Sequence, residues 1–325
     1  METLKSSNVI AITGANGFIG RYLVEALSKI PDISLKLLVR NVSKVNNYGD
    51  NVTQIKGDLT KPESLKGFLS NGCTLVNLAY SFKVSNNQNI TAMTNLIDIC
   101  VENKIKRLIH CSTAAVYGRV SESCVDELSE CNPKSDYGKT KLQIEQLLGD
   151  ASKGNFEYVN VRPTAVYGPD GQALMKLIKN LENGSHVLNY FRSCLFNVRL
   201  LNLVHVSNVV SAIIFLMDST RNVDGQTYIV SEDFEVNNNY MYVESYLLKR
   251  LTNRKYSFPR VHIPLFFLSL FLKLLGRDSI NPRMVYNANK LKDIGFNYDI
   301  ALDDGLDELC TWYETQNTKT ISGDA

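Results

Sequence analysis

The sequence predicts an α/β protein, a doubly wound parallel sheet followed by a smaller, mainly helical C-terminal part. Two observations carry this expectation. Short apolar runs alternate with stretches of helical periodicity as far as Arg162-Pro163, after which the alternation loosens. The first of those runs also passes through a glycine-rich turn directly into an amphipathic helix.

That opening unit organises the chain. Val9-Ile10-Ala11-Ile12 is short and apolar enough for a strand buried on both faces. Thr13-Gly14-Ala15-Asn16-Gly17-Phe18-Ile19-Gly20 follows, and Phe18, Ile19, Tyr22, Leu23, Ala26 and Leu27 recur at helical spacing. A strand that turns through glycines into a helix aims free backbone N–H groups and a positive dipole end at one point, which suits a phosphate. Gly14 is placed to turn with positive φ, Gly17 to let the backbone approach a pyrophosphate, and Gly20 to let helix and strand pack closely. The spacing is G-x-x-G-x-x-G; between a buried strand and an amphipathic helix it predicts dinucleotide binding.

The later elements follow in order. Leu35 to Val39, Val52 to Ile55, Thr74 to Leu78, Leu108 to Cys111 and Tyr158 to Val161 read as further strands. Ile90, Met93, Leu96, Ile97, Cys100 and Val101 mark one face of a helix, and Asp136 to Leu148 forms another with Ser135 as its N-cap. Ala173 to Leu181 reads as helix, Leu201 to Val206 as strand, Ser207 to Met217 as a helix capped by Ser207, Gly225 to Val230 as strand, and Asp303 to Tyr313 as a closing helix. The greasy run Ile263 to Leu272 is too short to span a bilayer ~30 Å thick. It is expected to be a buried or partner-facing helix, without membrane contact.

Composition narrows the function. A net charge of +2 with no basic cluster gives no case for nucleic acid. Seven cysteines at wide spacings form no metal knuckle, so no metal is expected, and reduced thiols fit a cytoplasmic enzyme. Met1 to Asn8 is polar and carries no leader pattern.

The chemistry is carried by Tyr137-Gly138-Lys139-Thr140-Lys141, which puts Tyr137 and Lys141 one helical turn apart on one face. An ammonium near a phenol stabilises the phenolate and lowers the tyrosine pKa from about 10. Such a phenol can pass a proton to or from a substrate oxygen.

With these motifs in view, the chain resembles the extended short-chain dehydrogenase/reductase family, of the nucleotide-sugar epimerase and dehydratase type. The resemblance rests on Thr13 to Gly20, Gly57-Asp58-Leu59, Leu78-Ala79, Cys111 to Gly118, Tyr137 to Lys141, Arg162-Pro163, Tyr167-Gly168-Pro169 and Leu203 to Val206. It implies a Rossmann-type cofactor domain over 1–165, with 200–231 packing back on it, and a substrate-binding part over 166–325. It also implies that Tyr137 is the general acid/base and that Lys141 holds the nicotinamide ribose. Thr113 would hydrogen-bond the reacting oxygen, with Ser112 as the fallback. Cofactor contacts are implied at Gly14, Asn16, Gly17, Phe18, Ile19 and Gly20 in the turn, and at Asp58, Leu59, Leu78, Ala79, Tyr80 and Pro163 beyond it. Asn89 matches a helix-bracing position, and a homodimer through the Asp136 helix is implied.

Departures from the family pattern sharpen the reading. Arg40 ends strand two where NAD-preferring relatives carry an acid; an arginine pairs with a 2′-phosphate, so NADP(H) is favoured with NAD the alternative. Ala114-Ala115 replace the Asp-Glu pair of the 4,6-dehydratases, which removes the acid and base of water elimination. Ala165 and Leu201 stand where epimerases carry an asparagine and an arginine. Arg277, Arg199 and Arg283 are candidates to clasp a substrate diphosphate, with Ala165 beside the nucleotide. The C-terminal part is similar to bacterial 4-ketoreductases of surface-polysaccharide synthesis. The favoured expectation is therefore reduction of a UDP-4-keto-6-deoxyhexosamine. A nucleotide-sugar 4-epimerase is the alternative, and a reductase of small hydrophobic ketones the third. The intact Thr113, Tyr137 and Lys141 speak against a non-enzymatic binding protein.

Overall fold

The computed structural model describes residues 9–42, 49–120, 122–218, 220–261, 263–274 and 281–322. The polar N-terminal stretch Met1 to Asn8 and Arg277 lie outside them. In chain order the elements are β1 (Val9–Thr13), α1 (Phe18–Ser28), β2 (Ser34–Val39), β3 (Val52–Lys56), β4 (Thr74–Asn77), α2 (Asn86–Glu102), β5 (Arg107–Cys111), β6 (Cys124–Val125), α3 (Asp136–Ser152), β7 (Glu157–Pro163), β8 (Ala165–Tyr167), α4 (Met175–Asn183), α5 (His186–Phe196), β9 (Leu203–His205), α6 (Val206–Met217), β10 (Gln226–Val230), α7 (Tyr240–Thr252), α8 (Leu265–Leu274), β11 (Val285–Tyr286), α9 (Asn289–Asp293) and α10 (Leu302–Ser322).

The chain divides into two compact units, neither continuous in sequence. The first comprises 1–118, 131–163 and 209–228; the second comprises 119–130, 164–208 and 229–325. A seven-stranded sheet in the order β10-β7-β5-β4-β1-β2-β3 forms the frame of the first unit, and the boundary at Tyr228 passes through its outer strand. The described pairings from β3 to β7 are parallel. The central strands read as unbroken apolar runs because both faces are covered. Phe68, Leu75, Leu96, Ile144 and Leu148 belong to one core cluster. Burying each such side chain contributes about 1.5–3 kcal/mol.

Helix starts follow their caps. Ser85 and Gln88 form a capping box on α2, and Ser135 accepts the Gly138 N–H at the start of α3, as expected. Ser207 is not a cap. Helix α6 begins at Val206, and the Ser207 N–H points to Nδ1 of His205 at 3.4 Å, so the histidine ring takes that role. A polar row, by contrast, forms only when distant strands pair. Thr13, Asn77, His110 and Asn160 lie opposite one another on β1, β4, β5 and β7, all buried.

Within the second unit, β8 pairs with β9 and β6 with β11, both parallel. Tyr167, Ile178, Leu247, Leu306 and Leu309 share its main core cluster. Leu265 and Leu268 of α8 are buried against Leu195 and Phe196, but Phe266 and Phe267 are exposed. Helix α8 is thus buried on one side only, not throughout.

Candidate active site

The glycine turn has the geometry its residues require. Gly14 adopts φ +74°, and a Cβ there would meet the Leu78 carbonyl carbon at 2.7 Å. At Gly20 a Cβ would run into the Gly14 carbonyl oxygen, so helix α1 closes against the turn itself. The Gly17 N–H bonds to Gly14 O, and Arg21 N–H closes the first helical bond onto Gly17 O. No side chain caps α1. Its N-terminal dipole therefore acts unopposed on whatever lies before it.

A cavity of about 740 Å³ opens at this point, wholly within the first unit. Gly14, Asn16 and Gly17 line it, as do Arg40, Asp58, Leu59, Leu78, Ala79 and Tyr80. Phe18, Ile19 and Gly20 lie just beyond the wall, where the Phe18 ring packs edge-on against Tyr22 at 5.8 Å. Pro163 is buried at the end of β7 and does not line the cavity. The shape, the Cβ-free cradle and the uncapped helix fit an extended dinucleotide.

Asp58 Oδ1 accepts the N–H and the hydroxyl of Thr60 at 2.9 and 2.8 Å. The Thr60 N–H bond, above all, holds this carboxyl below its ordinary value; burial opposes it and the Arg40 charge assists. The exposed Arg40 is therefore close enough to Asp58 to influence it electrostatically. Asn89 braces the loop beneath the cavity, accepting Ser81 N–H and donating to the Ser81 and Ser85 carbonyls.

Sequence reasoning missed Asn77. Its Oδ1 accepts the Thr13 hydroxyl at 2.6 Å and the Ala79 N–H at 3.2 Å, which ties the ends of β1 and β4 together at the cavity wall. The available signal was an asparagine ending an otherwise apolar strand. Asn77 Nδ2 also reaches His110 Nδ1 at 3.2 Å. Burial, with the Lys141 charge, keeps that imidazole neutral by pushing its pKa well below the usual value.

The catalytic candidates gather beyond Tyr80. Thr113 Oγ1 accepts the Ala115 N–H at 3.2 Å, and its side chain is close enough to Tyr137 to act on the phenol. Lys141 is buried and donates to the Cys111 carbonyl at 2.7 Å, with its ammonium 5.1 Å from the Tyr80 ring centre. Tyr80 and Phe82 pack on Tyr137, with ring centres 4.9 and 5.2 Å away. The phenol does not sit below its ordinary pKa, as an adjacent ammonium would make it. Burial raises it, the Cys111 thiol adds to that, and the nearby Thr113 side chain opposes. Burial likewise lowers the Lys141 pKa. Ser112 is buried, and its hydroxyl has no partner among the described residues.

The four substrate candidates are not equally placed. Ala165 (on β8), Arg199 and Arg283 fall in the second unit; Ala165 and Arg283 are exposed and Arg199 half-buried. Arg277 lies outside the described residues.

A parallel sheet, an uncapped glycine turn and a Thr-Tyr-Lys group define a Rossmann-type α/β enzyme. The chain belongs to the NAD dependent epimerase/dehydratase family, whose model matches residues 10–231, and it is an enzyme of the extended short-chain dehydrogenase/reductase type. It is 28% identical over 294 residues to a UDP-glucose 4-epimerase of Vibrio cholerae, covering 86% of each chain. To the N-acetyl-alpha-D-glucosaminyl-diphospho-ditrans,octacis-undecaprenol 4-epimerase of Escherichia coli O157:H7 it is 25% identical over 328 residues, covering 93% of this chain and 94% of the relative. The fold matches that of dTDP-glucose 4,6-dehydratase from Bacillus anthracis in complex with NAD, with a TM-score of 0.71 and 19% identity over 96% of this chain and 98% of that one.

Proposed function

We propose that the protein oxidises and re-reduces C4 of a nucleotide sugar, as a 4-epimerase. The observation that carries this is the placing of Thr113 beside the Tyr137 phenol, with Lys141 one turn along α3 and the glycine cradle in the same unit. Both relatives named above are 4-epimerases matched over most of their length, which weights the choice against the simple ketoreductase that the sequence favoured. Elimination is not expected, because Ala114 and Ala115 form a 3₁₀ turn without a carboxylate.

The Gly14–Gly17 turn and the α1 N-terminus would hold the pyrophosphate, Asp58 and Leu59 the adenosine end, and Lys141 the nicotinamide ribose. A bound nicotinamide supplies hydride acceptance and return. Tyr137 would move the proton of the C4 oxygen, and the Thr113 hydroxyl beside it would orient that oxygen.

Ketoreduction is the second reading, for one specific reason. Arg40 on the cavity wall suits NADPH, the cofactor that reductases consume each turnover. Mass spectrometry after mild denaturation tests the choice. An epimerase carries dinucleotide through purification and interconverts UDP-N-acetylglucosamine and UDP-N-acetylgalactosamine, or UDP-glucose and UDP-galactose, with none added. A protein without dinucleotide that consumes NADPH with a UDP-4-keto-6-deoxy sugar, and interconverts neither pair, is the reductase instead.

A further inference from the structure

Large apolar side chains stand in water over one part of the second unit. Val187, Leu188 and Phe191 on α5, Phe258 in the segment after α7, and Phe266 and Phe267 on α8 are all exposed, Phe258 by 72% and Phe266 by 71%. These segments are packed into one surface. The stripe Leu188, Phe191, Leu195 runs along α5 at helical spacing, and its last member joins the cluster of Leu265 and Leu268 from α8. The Tyr190 hydroxyl donates to the Pro259 carbonyl at 2.9 Å, and the Arg260 guanidinium reaches Ser193 Oγ at 2.6 Å.

Two sequence windows that build this face carry cations alone. From Ser245 to Gly276 the sequence carries Lys249, Arg250, Arg254, Lys255, Arg260 and Lys273, and no aspartate or glutamate. From Gly184 to His205 it carries Arg192 and Arg199, again without an acid. Arg260 is neutralised by the buried Glu244, and Arg250 by Glu314 and Asp307. Arg254, Lys255 and Lys273 are exposed and make no ion pair among the described residues.

We propose that the surface formed by α5, residues 253–261 and α8 docks on an anionic phospholipid bilayer. Exposed aromatic rings flanked by unpaired cations match an interfacial site, where rings enter the headgroup boundary and lysine and arginine meet lipid phosphates. Helix α8 has ten residues against the ~20 needed for a span, and no helix among the described residues is long and apolar enough to cross a membrane. The protein therefore lies on the surface. A second copy is the poorer occupant, because a two-fold contact would press this cation-bearing face, with Arg254 and Lys255 unpaired among the described residues, onto an identical one.

Sedimentation with extruded vesicles tests this on the full chain. Wild type is expected to co-sediment with phosphatidylcholine vesicles containing about 30% phosphatidylglycerol, and to be released by raising salt to about 0.5 M. Phe266→Ser with Phe267→Ser, and separately Arg254→Gln with Lys255→Gln, should each weaken partitioning at least about tenfold while circular dichroism stays unchanged, since all four side chains are exposed. The proposal fails if wild type stays in the supernatant, if it binds pure phosphatidylcholine equally, or if both variants bind like wild type. It also fails if light scattering finds a dimer that the Phe266/Phe267 variant dissociates, since a second copy would then own the face.

Discussion

Gly14→Ala separates two costs at the turn that opens the cavity. With φ at +74° any L side chain sits in the left-handed region, at about 1–2 kcal/mol. The added methyl would also lie 2.7 Å from the Leu78 carbonyl carbon, 2.8 Å from its oxygen and 2.8 Å from the Ala79 nitrogen. All three are backbone atoms, and Leu78 N–H is bonded to Thr13 O, so the wall cannot swing aside like a side chain. Overpacking of this kind costs about 1–3 kcal/mol more, for a sum of about 2–5 kcal/mol. Gly67 is the internal control. It has φ +77°, and nothing lies within 4 Å of its would-be Cβ, so Gly67→Ala should incur the dihedral cost alone. Urea unfolding followed by circular dichroism should therefore place Gly14→Ala about 1–3 kcal/mol below Gly67→Ala. Isothermal titration with NADH or NADPH should show weakened binding for Gly14→Ala only, because Leu78 and Ala79 line the cavity. Equal stability and equal dinucleotide affinity in the two variants would refute the reasoning.

Tyr137→Phe keeps the ring among Tyr80 and Phe82, so turnover should fall by ~10² to 10⁴-fold with dinucleotide affinity unchanged; near-wild-type turnover would remove Tyr137 from the chemistry. Arg40→Ala should lower the NADPH-to-NADH ratio of kcat/KM, and an unchanged ratio would mean that Arg40 does not read the 2′-phosphate. Glu232, 1% exposed, has its pKa pushed up to about 7 by burial, against hydrogen bonds from Asn208 and the His205 N–H. Between the unfolded value of 4.5 and about 7 the folded state holds the extra proton, so this group's contribution to stability falls as pH rises through that window and is gone above it. Glu232→Gln should consequently flatten the thermal-melting profile between those pH values and raise the melting point at pH 8. A wild-type profile already flat there would contradict the assignment.

Much of the cofactor unit was legible because its signals are local. The β1 run, the glycine spacing and the α1 periodicity occupy one continuous stretch, and Ser135 sits directly before the helix it caps. Tyr137 and Lys141 were found for the same reason, being one turn apart on α3. What stayed hidden depends on partners distant in sequence. The Tyr80 and Phe82 rings meet Tyr137 only after the sheet has formed, and burial then reverses the direction in which the phenol's pKa moves. His205 displaces Ser207 as the cap because its own N–H is fixed by Glu232 from another element. The run from Ile263 was read by hydropathy alone, which does not tell the buried Leu265 and Leu268 from the exposed Phe266 and Phe267.

The outer place of β10 in the sheet constrains the order in which the nascent chain matures. Strand β7 ends at Pro163, but the strand that covers its free edge ends at Val230. Arg107, 2% exposed, likewise waits for the Leu216, Asp218 and Arg221 carbonyls that receive its guanidinium. At ~5–20 residues per second, the ribosome takes roughly 3–13 s to bridge that gap. Throughout it the growing protein presents an unpaired strand edge and an incompletely bonded buried cation to its surroundings. Chaperone engagement, and the misassembly that slow synthesis or a stop codon before residue 230 would provoke, should concentrate in that interval.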